Sequence, residues 1–175
     1  MVIGTIRSCN GLTPFPGTDR SGPVSAPNPD EPQVTTAERE VAADAATIFE
    51  MIADPARQPA WDGGDNLAEA APGQRVHAVG DVFTMRLTMG AERENHVVEF
   101  TEGRRIAWRP AEPGAAPPGH LWRWELEPRG EGRTLVRHTY DWTQLTDPGR
   151  FRTARATTTA RLAASLDRLA AQAEG

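Results

Sequence analysis

The sequence predicts an α+β domain: an antiparallel meander with one apolar face, covered by a long C-terminal helix, with two short helices after the first strand. Three observations predict it. From Val82 to Trp142, alternating apolar and polar segments follow one another across short turns, and strands so joined pair antiparallel. Their apolar side is rich in Trp, Phe and Met and needs a cover. After Thr146, apolar residues recur at spacings of three and four, and this is the only element long enough to supply that cover.

In chain order, residues 1–32 come first, with prolines at 14, 16, 23, 27, 29 and 32. Such a stretch buries too little apolar surface to offset its ordering entropy. It is expected to be a disordered Pro/Gly-rich extension, or upstream sequence from an early start, with the domain proper over 33–175. Val34–Val41 reads as a strand. Residues 43–52 read as a helix capped by Asp44, with Ile48, Phe49 and Ile52 inward. Asp54-Pro55 restarts a helical turn through Trp61, which Asp62-Gly63-Gly64 ends. A weaker strand is expected between Gln74 and Val79.

Val82–Met89 places Phe83, Met85, Leu87 and Met89 on one side. Glu94–Phe100 is expected to point His96, Val98 and Phe100 inward, and Arg105–Arg109 to point Ile106 and Trp108 inward. Residues 110–119 form a loop, a candidate gate or an ordinary mobile connection. His120–Glu127 alternates most clearly, with His120, Trp122, Trp124 and Leu126 on one face and Arg123, Glu125 and Glu127 on the other. Thr134–Trp142 turns Val136, His138, Tyr140 and Trp142 inward. The terminal helix, Thr146–Glu174, takes Asp147 as cap and Pro148 at its first position. Its stripe is Phe151, Ala154, Thr158, Leu162, Leu166 and Leu169. The leucine half can grip a sheet. The half from Thr153 to Ala160 carries only Ala, Thr and Arg, which either roof a ligand cavity or mark close packing.

The chain's 175 residues suit one domain with a tail. A net charge of -5 gives no support to non-specific nucleic-acid binding. All 19 basic residues are Arg, so Schiff-base lysine chemistry is excluded. The lone Cys9 cannot form an internal disulfide, which fits a reducing, cytoplasmic setting. No apolar run approaches the ~18 residues of a membrane-spanning helix, and residues 1–8 are too short in apolar sequence for a secretory signal.

His96, His120 and His138 fall on expected inward faces and on paper suggest zinc. However, the strands of His96 and His138 would lie ~14 Å apart, against ~2.1 Å for a zinc–nitrogen bond. No metal is expected. Neither a phosphate-binding glycine loop nor a Gly-x-Ser-x-Gly elbow occurs, so no nucleotide cofactor is expected either. His138 and Tyr140 share a face. They suit a general acid/base and a hydrogen-bond donor to a carbonyl, but more readily read as two amphipathic core residues with their polar atoms satisfied by hydrogen bonds. Arg109 or Asn95 would enter a cavity only if the strand register were shifted by one. Met85, Met89, Trp108, Trp122 and Trp124, with His96 beside them and Ala154 and Thr158 opposite, would make a wall for a planar apolar ligand, or a ligand-free core of large residues.

Val41-Ala42-Ala43 leading into Thr47-Ile48-Phe49, then Asp54-Pro55 and Trp61-Asp62, resembles the opening of START-like, polyketide cyclase/dehydrase-type (SRPBCC) proteins. Val98-Glu99-Phe100 before Arg104-Arg105-Ile106-Ala107-Trp108 is similar too, as are Thr134-Leu135-Val136 and Tyr140-Asp141. The likeness covers about residues 34–173 and lies in the order of loose motifs. It implies a helix-grip fold, a curved seven-stranded antiparallel sheet wrapped around the C-terminal helix, with a cavity between them for an apolar small molecule. On that basis the expected function is binding of an apolar, aromatic, polyketide- or lipid-like molecule. The alternatives are a cyclase or dehydratase acting on an enolisable carbonyl chain through His138 and Tyr140, and a protein-interaction domain with a vestigial cavity. Nothing in the sequence sets an oligomeric state.

Overall fold

The computed structural model describes residues 25–28 and 30–175. The strands are β1 (Val34–Val41), β2 (Leu67–Glu69), β3 (Val82–Leu87), β4 (Glu92–Thr101), β5 (Arg105–Ala111), β6 (Leu121–Gly130) and β7 (Arg133–Asp141). The helices are α1 (Ala45–Ala53), α2 (Gln58–Trp61), α3 (Phe151–Arg155) and α4 (Thr159–Ala173). All seven strands form one antiparallel sheet in the order β1-β7-β6-β5-β4-β3-β2. The expected α+β helix-grip architecture is therefore present.

The sheet registers define rows of inward side chains. One row runs Ala37, His138, Trp124, Ile106, Phe100; the next runs Thr35, Tyr140, Trp122, Trp108, Val97. Past these, Phe83, Asn95 and Pro110 line up, and Met85 sits opposite Arg93. The rows thus pass from apolar to polar along the sheet. At the apolar end, α1 packs on β6 and α4 packs on β1 and β7. Val41, Ile48, Ile52, Ile106, Leu126, Val136, Leu166 and Leu169 are almost completely buried there, and Phe49 meets Phe100 edge-on at 5.7 Å.

Five expectations are corrected. The C-terminal helix is not continuous. A 3-10 turn at Pro148–Arg150 leads into α3, and the chain leaves helical geometry before α4 begins. Three consecutive threonines, 157–159, account for the break. The Thr157 hydroxyl bonds back to the Thr153 carbonyl at 3.1 Å. Thr158 is extended (φ -95, ψ 162) and its side chain accepts from the Arg161 N–H, capping α4. Such local bonds compete with helix continuation. Secondly, Asp44 precedes α1 without a side-chain cap, whereas Asp54 does bond the Ala56 N–H at 3.1 Å. Thirdly, no strand forms at Gln74–Val79; the short edge strand is β2. Gln74 instead bonds the backbone of Thr84 in both directions with its side chain, 3.2 and 2.7 Å, doing for one residue what a strand does for several.

The fourth correction concerns β4. Asn95 and Val97 are buried, not His96 and Val98. The pairing slips between Val97 and Glu99, so a bulge at Val98 returns Phe100 to the inner face. Phe100 was placed correctly and the residues before the bulge were placed one off. Finally, β3 stops at Leu87, and Met89 lies in the turn beyond it, 81% exposed.

The expected extension over 1–32 lies mainly outside the described residues. Within them, Glu31 pairs with Arg155 at 2.6 Å, and Arg155 also donates to the Ser25 carbonyl. The residues just before β1 are therefore tied to α3.

Candidate functional site

Between the inner face of the sheet and the α2 and α3–α4 segments lies a cavity of about 610 Å³. Its volume falls within the ~300–1,000 Å³ usual for small-molecule sites. It forms because α4 lies over β1 and β7 and α1 lies over the apolar end of the sheet at β6, so that neither helix fills the space over the other end of β3–β6. The segment after α2 is pinned to α4 and closes one side: the Gly63 N–H donates to Ser165 Oγ at 2.9 Å, and Arg161 donates to the Gly64 carbonyl at 3.2 Å. No side chain larger than hydrogen fits at position 63. A Cβ there would stand 2.4 Å from the Ser165 nitrogen.

The apolar wall is Met85, Trp108, Trp122, Trp124 and Leu162, with Trp61 from α2. The aromatics brace one another. Trp124 stacks on His138 at 3.7 Å and 12°, and Trp61 meets Trp124 edge-on at 5.1 Å. Trp122 lies 4.4 Å from Tyr140, and Phe83 lies 5.4 Å from Trp108. Such pairs fix ring orientation as well as burying area. Trp61 is held further by its indole N–H, which donates to the Met51 carbonyl at 3.0 Å.

Polar groups border the rest of the cavity, among them Asn95, His120, His138 and Tyr140, with Asp62, Arg93, Glu112, Asp147, Arg150 and Arg161 as the charged ones. Trp124 Nε1, His138 Nδ1 and His120 Nδ1 are buried with no hydrogen-bond partner among the described residues. His138 is pushed down to about 3, chiefly by burial, with the nearby Leu162 backbone working the other way. His120 is pushed down to about 4 by burial first, then by Arg150 and Arg93, with Asp147 opposing. Both imidazoles are neutral at pH 7. Burial raises the Tyr140 phenol to about 12, so it keeps its proton as a donor, although Arg150 pulls slightly the other way.

Of the residues singled out from sequence, Met85, Trp108, Trp122, Trp124, His138 and Tyr140 line this cavity together. Met89 reaches only its mouth. His96 belongs to the other face of β4, opposite Arg109, because the bulge at Val98 reverses the alternation before it. Ala154 is buried in the core beside Phe151, on the side of α3 away from the cavity. Thr158 is exposed as the α4 cap; the helix break turns Thr153 and Thr157 toward the cavity in its place. Sequence reasoning missed Arg93, Trp61, Arg150 and Thr157 as wall residues, and it reached Asn95 only through the one-residue register shift that β4 in fact shows before Val98. The doublet Val97-Val98 was the available signal, since two apolar neighbours cannot both follow strict alternation.

The chain belongs to the family described as polyketide cyclase / dehydrase and lipid transport, whose model matches residues 32–174. It is 28% identical over 106 residues to the uncharacterized protein Rv0088 of Mycobacterium tuberculosis, a match spanning 59% of this chain and 45% of that one. The chain thus corresponds to less than half the length of that relative. Among solved structures, the Aha1 dimer from Colwellia psychrerythraea superposes with a TM-score of 0.59 at 18% identity, covering 81% of this chain and 96% of that one. DynU16, a protein of the dynemicin biosynthetic locus, superposes with a TM-score of 0.58 at 22% identity, covering 82% of this chain and 48% of that one. At these identities the superpositions speak for the fold alone. Among the described residues no helix is long and apolar enough to cross a membrane.

Proposed function

We infer that the protein binds an apolar, aromatic small molecule of polyketide or lipid type in the cavity between sheet and helix. One observation carries this reading. A space of about 610 Å³ remains open in a domain whose other end is tightly filled; Trp, Met and Leu form its apolar wall, and buried polar atoms beside them have no partner among the described residues. Flat indole faces and adaptable thioethers suit a planar apolar guest. The same openness disfavours an interaction domain with a vestigial cavity.

The test is a filling substitution. Thr157 is 5% exposed and points into the cavity. Overpacking a full core costs ~1–3 kcal/mol, while filling a void is close to neutral or stabilising. Thr157→Leu is expected to keep stability within ~1 kcal/mol of the parent and to abolish uptake of the neutral dye Nile red. A destabilised variant, together with a parent that takes up no dye, overturns the reading.

A second reading is supported by two groups in the same wall. Tyr140 retains its proton, and a neutral His138 presents a free ring nitrogen. Together they could polarise a carbonyl and accept a proton from an enolisable carbon. A pKa near 3 makes His138 a weak base, so this chemistry would need a substrate that raises it on binding. The discriminating measurement is a turnover assay with a poly-β-keto thioester, in which His138→Ala abolishes cyclisation while Nile red uptake persists.

A further inference from the structure

Resting on the reading of the cavity as a ligand site, we propose that its guest carries a carboxylate, held at the polar end between Arg93, Arg150, His120 and Tyr140. All four line the cavity. Arg93 is on the inner face because it pairs opposite the buried Met85. Its side chain donates to the Glu92 carbonyl at 2.7 Å, and no carboxylate of the described residues lies within ion-pair distance. The contrast with the outer face is direct, where Arg123 and Arg137 each hold a glutamate. A guanidinium turned into a cavity with no carboxylate of the described residues within ion-pair distance calls for an anion from outside the protein.

Arg150 supplies the second guanidinium. Its Nε and one terminal nitrogen bind Asp147 at 3.2 Å and Glu112 at 3.3 Å, and its other terminal nitrogen makes no hydrogen bond to a described residue. The arginine side chain is 23% exposed, against 46% and 64% for the two acids. Both acids also border the cavity, but they are the more exposed partners, where screening weakens them, and Arg150 is the more buried one. His120 is 8% exposed and its Nδ1 is buried and unpartnered. Tyr140 lies beside it, ring to ring at 5.9 Å, with a hydroxyl that bonds no described residue. The depressed pKa of His120 agrees with the placement, since both guanidiniums lower it and outweigh Asp147.

These groups are all potential donors with spare capacity. Arg93, Arg150, Asp147 and Glu112 together carry no net charge, but the charges are not evenly matched: both acids are engaged by Arg150, and Arg93 is the guanidinium left without a carboxylate partner among the described residues, which suits a monoanion. A carboxylate is planar with two oxygens and accepts a guanidinium fork. The adjoining Trp and Met wall then takes the apolar body. The guest is thus an amphipathic carboxylic acid, with its head at the mouth and its body inside.

The test compares 4-(1-pyrenyl)butanoic acid with its methyl ester by fluorescence titration at pH 7, using the full chain. The acid is expected to bind the parent at least about tenfold more tightly, the scale of a charge-assisted contact. Arg93→Gln should remove most of that preference while weakening the ester by less than about twofold, and Arg93→Lys should restore part of it. Arg93 makes no ion pair with a described residue, so thermal melts should match the parent. Equal binding of acid and ester, or equal loss of both in Arg93→Gln, overturns the carboxylate assignment and leaves the cavity reading intact. Nile red uptake without binding of either pyrene compound also overturns it. If neither pyrene compound nor Nile red binds, both readings fall.

Discussion

At one end of the sheet, Val136, Leu126 and Ile106 are buried beneath α1 and the leucines of α4, with Phe49 against Phe100. At the other end, the same strands carry Tyr140, Trp122 and Trp108, yet the helical segment above them offers Thr153 and Thr157. The strand side chains are larger at the open end, so the strands are not what leaves the space there. The cover is. A filled core and a binding cavity are therefore built on one sheet by changing what lies over it, and the interruption between α3 and α4 marks where one becomes the other.

The largest expected effect separates the two ends directly. Leu166→Ala, at a position 1% exposed in the filled end, should cost ~2–5 kcal/mol in chemical denaturation, because truncation there leaves a void. Met85→Ala, on the cavity wall, should fall at or below ~2 kcal/mol, since the atoms it loses already border space. Equal costs would mean that the two ends are packed alike.

The next effect is a pH dependence, and it belongs to the cavity end. His138 and His120 titrate at about 3 and about 4 in the folded protein, against an ordinary value of 6.5. Below 6.5 the unfolded chain binds protons that the folded one refuses. Stability should therefore fall as pH drops below 6.5, and keep falling until the folded values are reached. Between pH 7 and 5, His138 alone should account for ~2 kcal/mol. His138→Gln should flatten the slope in that window, which lies above the range where the paired carboxylates titrate. An unchanged slope would show that the imidazole is solvated.

The smallest effect concerns the boundary itself. Thr158→Ala removes the cap of α4 and should cost ~1 kcal/mol. Hydrogen exchange should locate the loss in the first turn of α4 rather than in α3.

Much of the fold was legible from residue order. The alternation in β6 and β7 and the aromatic rows followed from period two alone, and six of the wall residues came with them. What escaped was set by single-residue events. The bulge at Val98 moved His96 out and Asn95 and Arg93 in. The threonine run broke the helix and exchanged Thr158 for Thr157. Both events are decided by local hydrogen bonding, which a periodicity averages away. The charged end of the cavity was hidden for a different reason. Arg93 and Arg150 are only partly buried, and no apolar periodicity marks such positions as part of a wall.

The place of β1 in the sheet has a kinetic consequence. It is the first strand of the chain and pairs only with the last: Thr36 and Thr139, whose hydroxyls lie 3.2 Å apart, are 103 positions apart in sequence. The meander from β2 to β7 can close turn by turn, but the sheet is complete only when these two distant strands meet. Such a closure orders a long chain before it is rewarded, and folding dominated by it runs on a scale of milliseconds to seconds. During synthesis β1 emerges before β2–β7 and must wait for β7. Glu38 and Glu40, which finally pair with Arg137 and Arg133, give the waiting strand two charges on one side. Charged side chains on an unpaired edge discourage pairing with the wrong neighbour, so the same glutamates that tie down the finished sheet also guard its unfinished one.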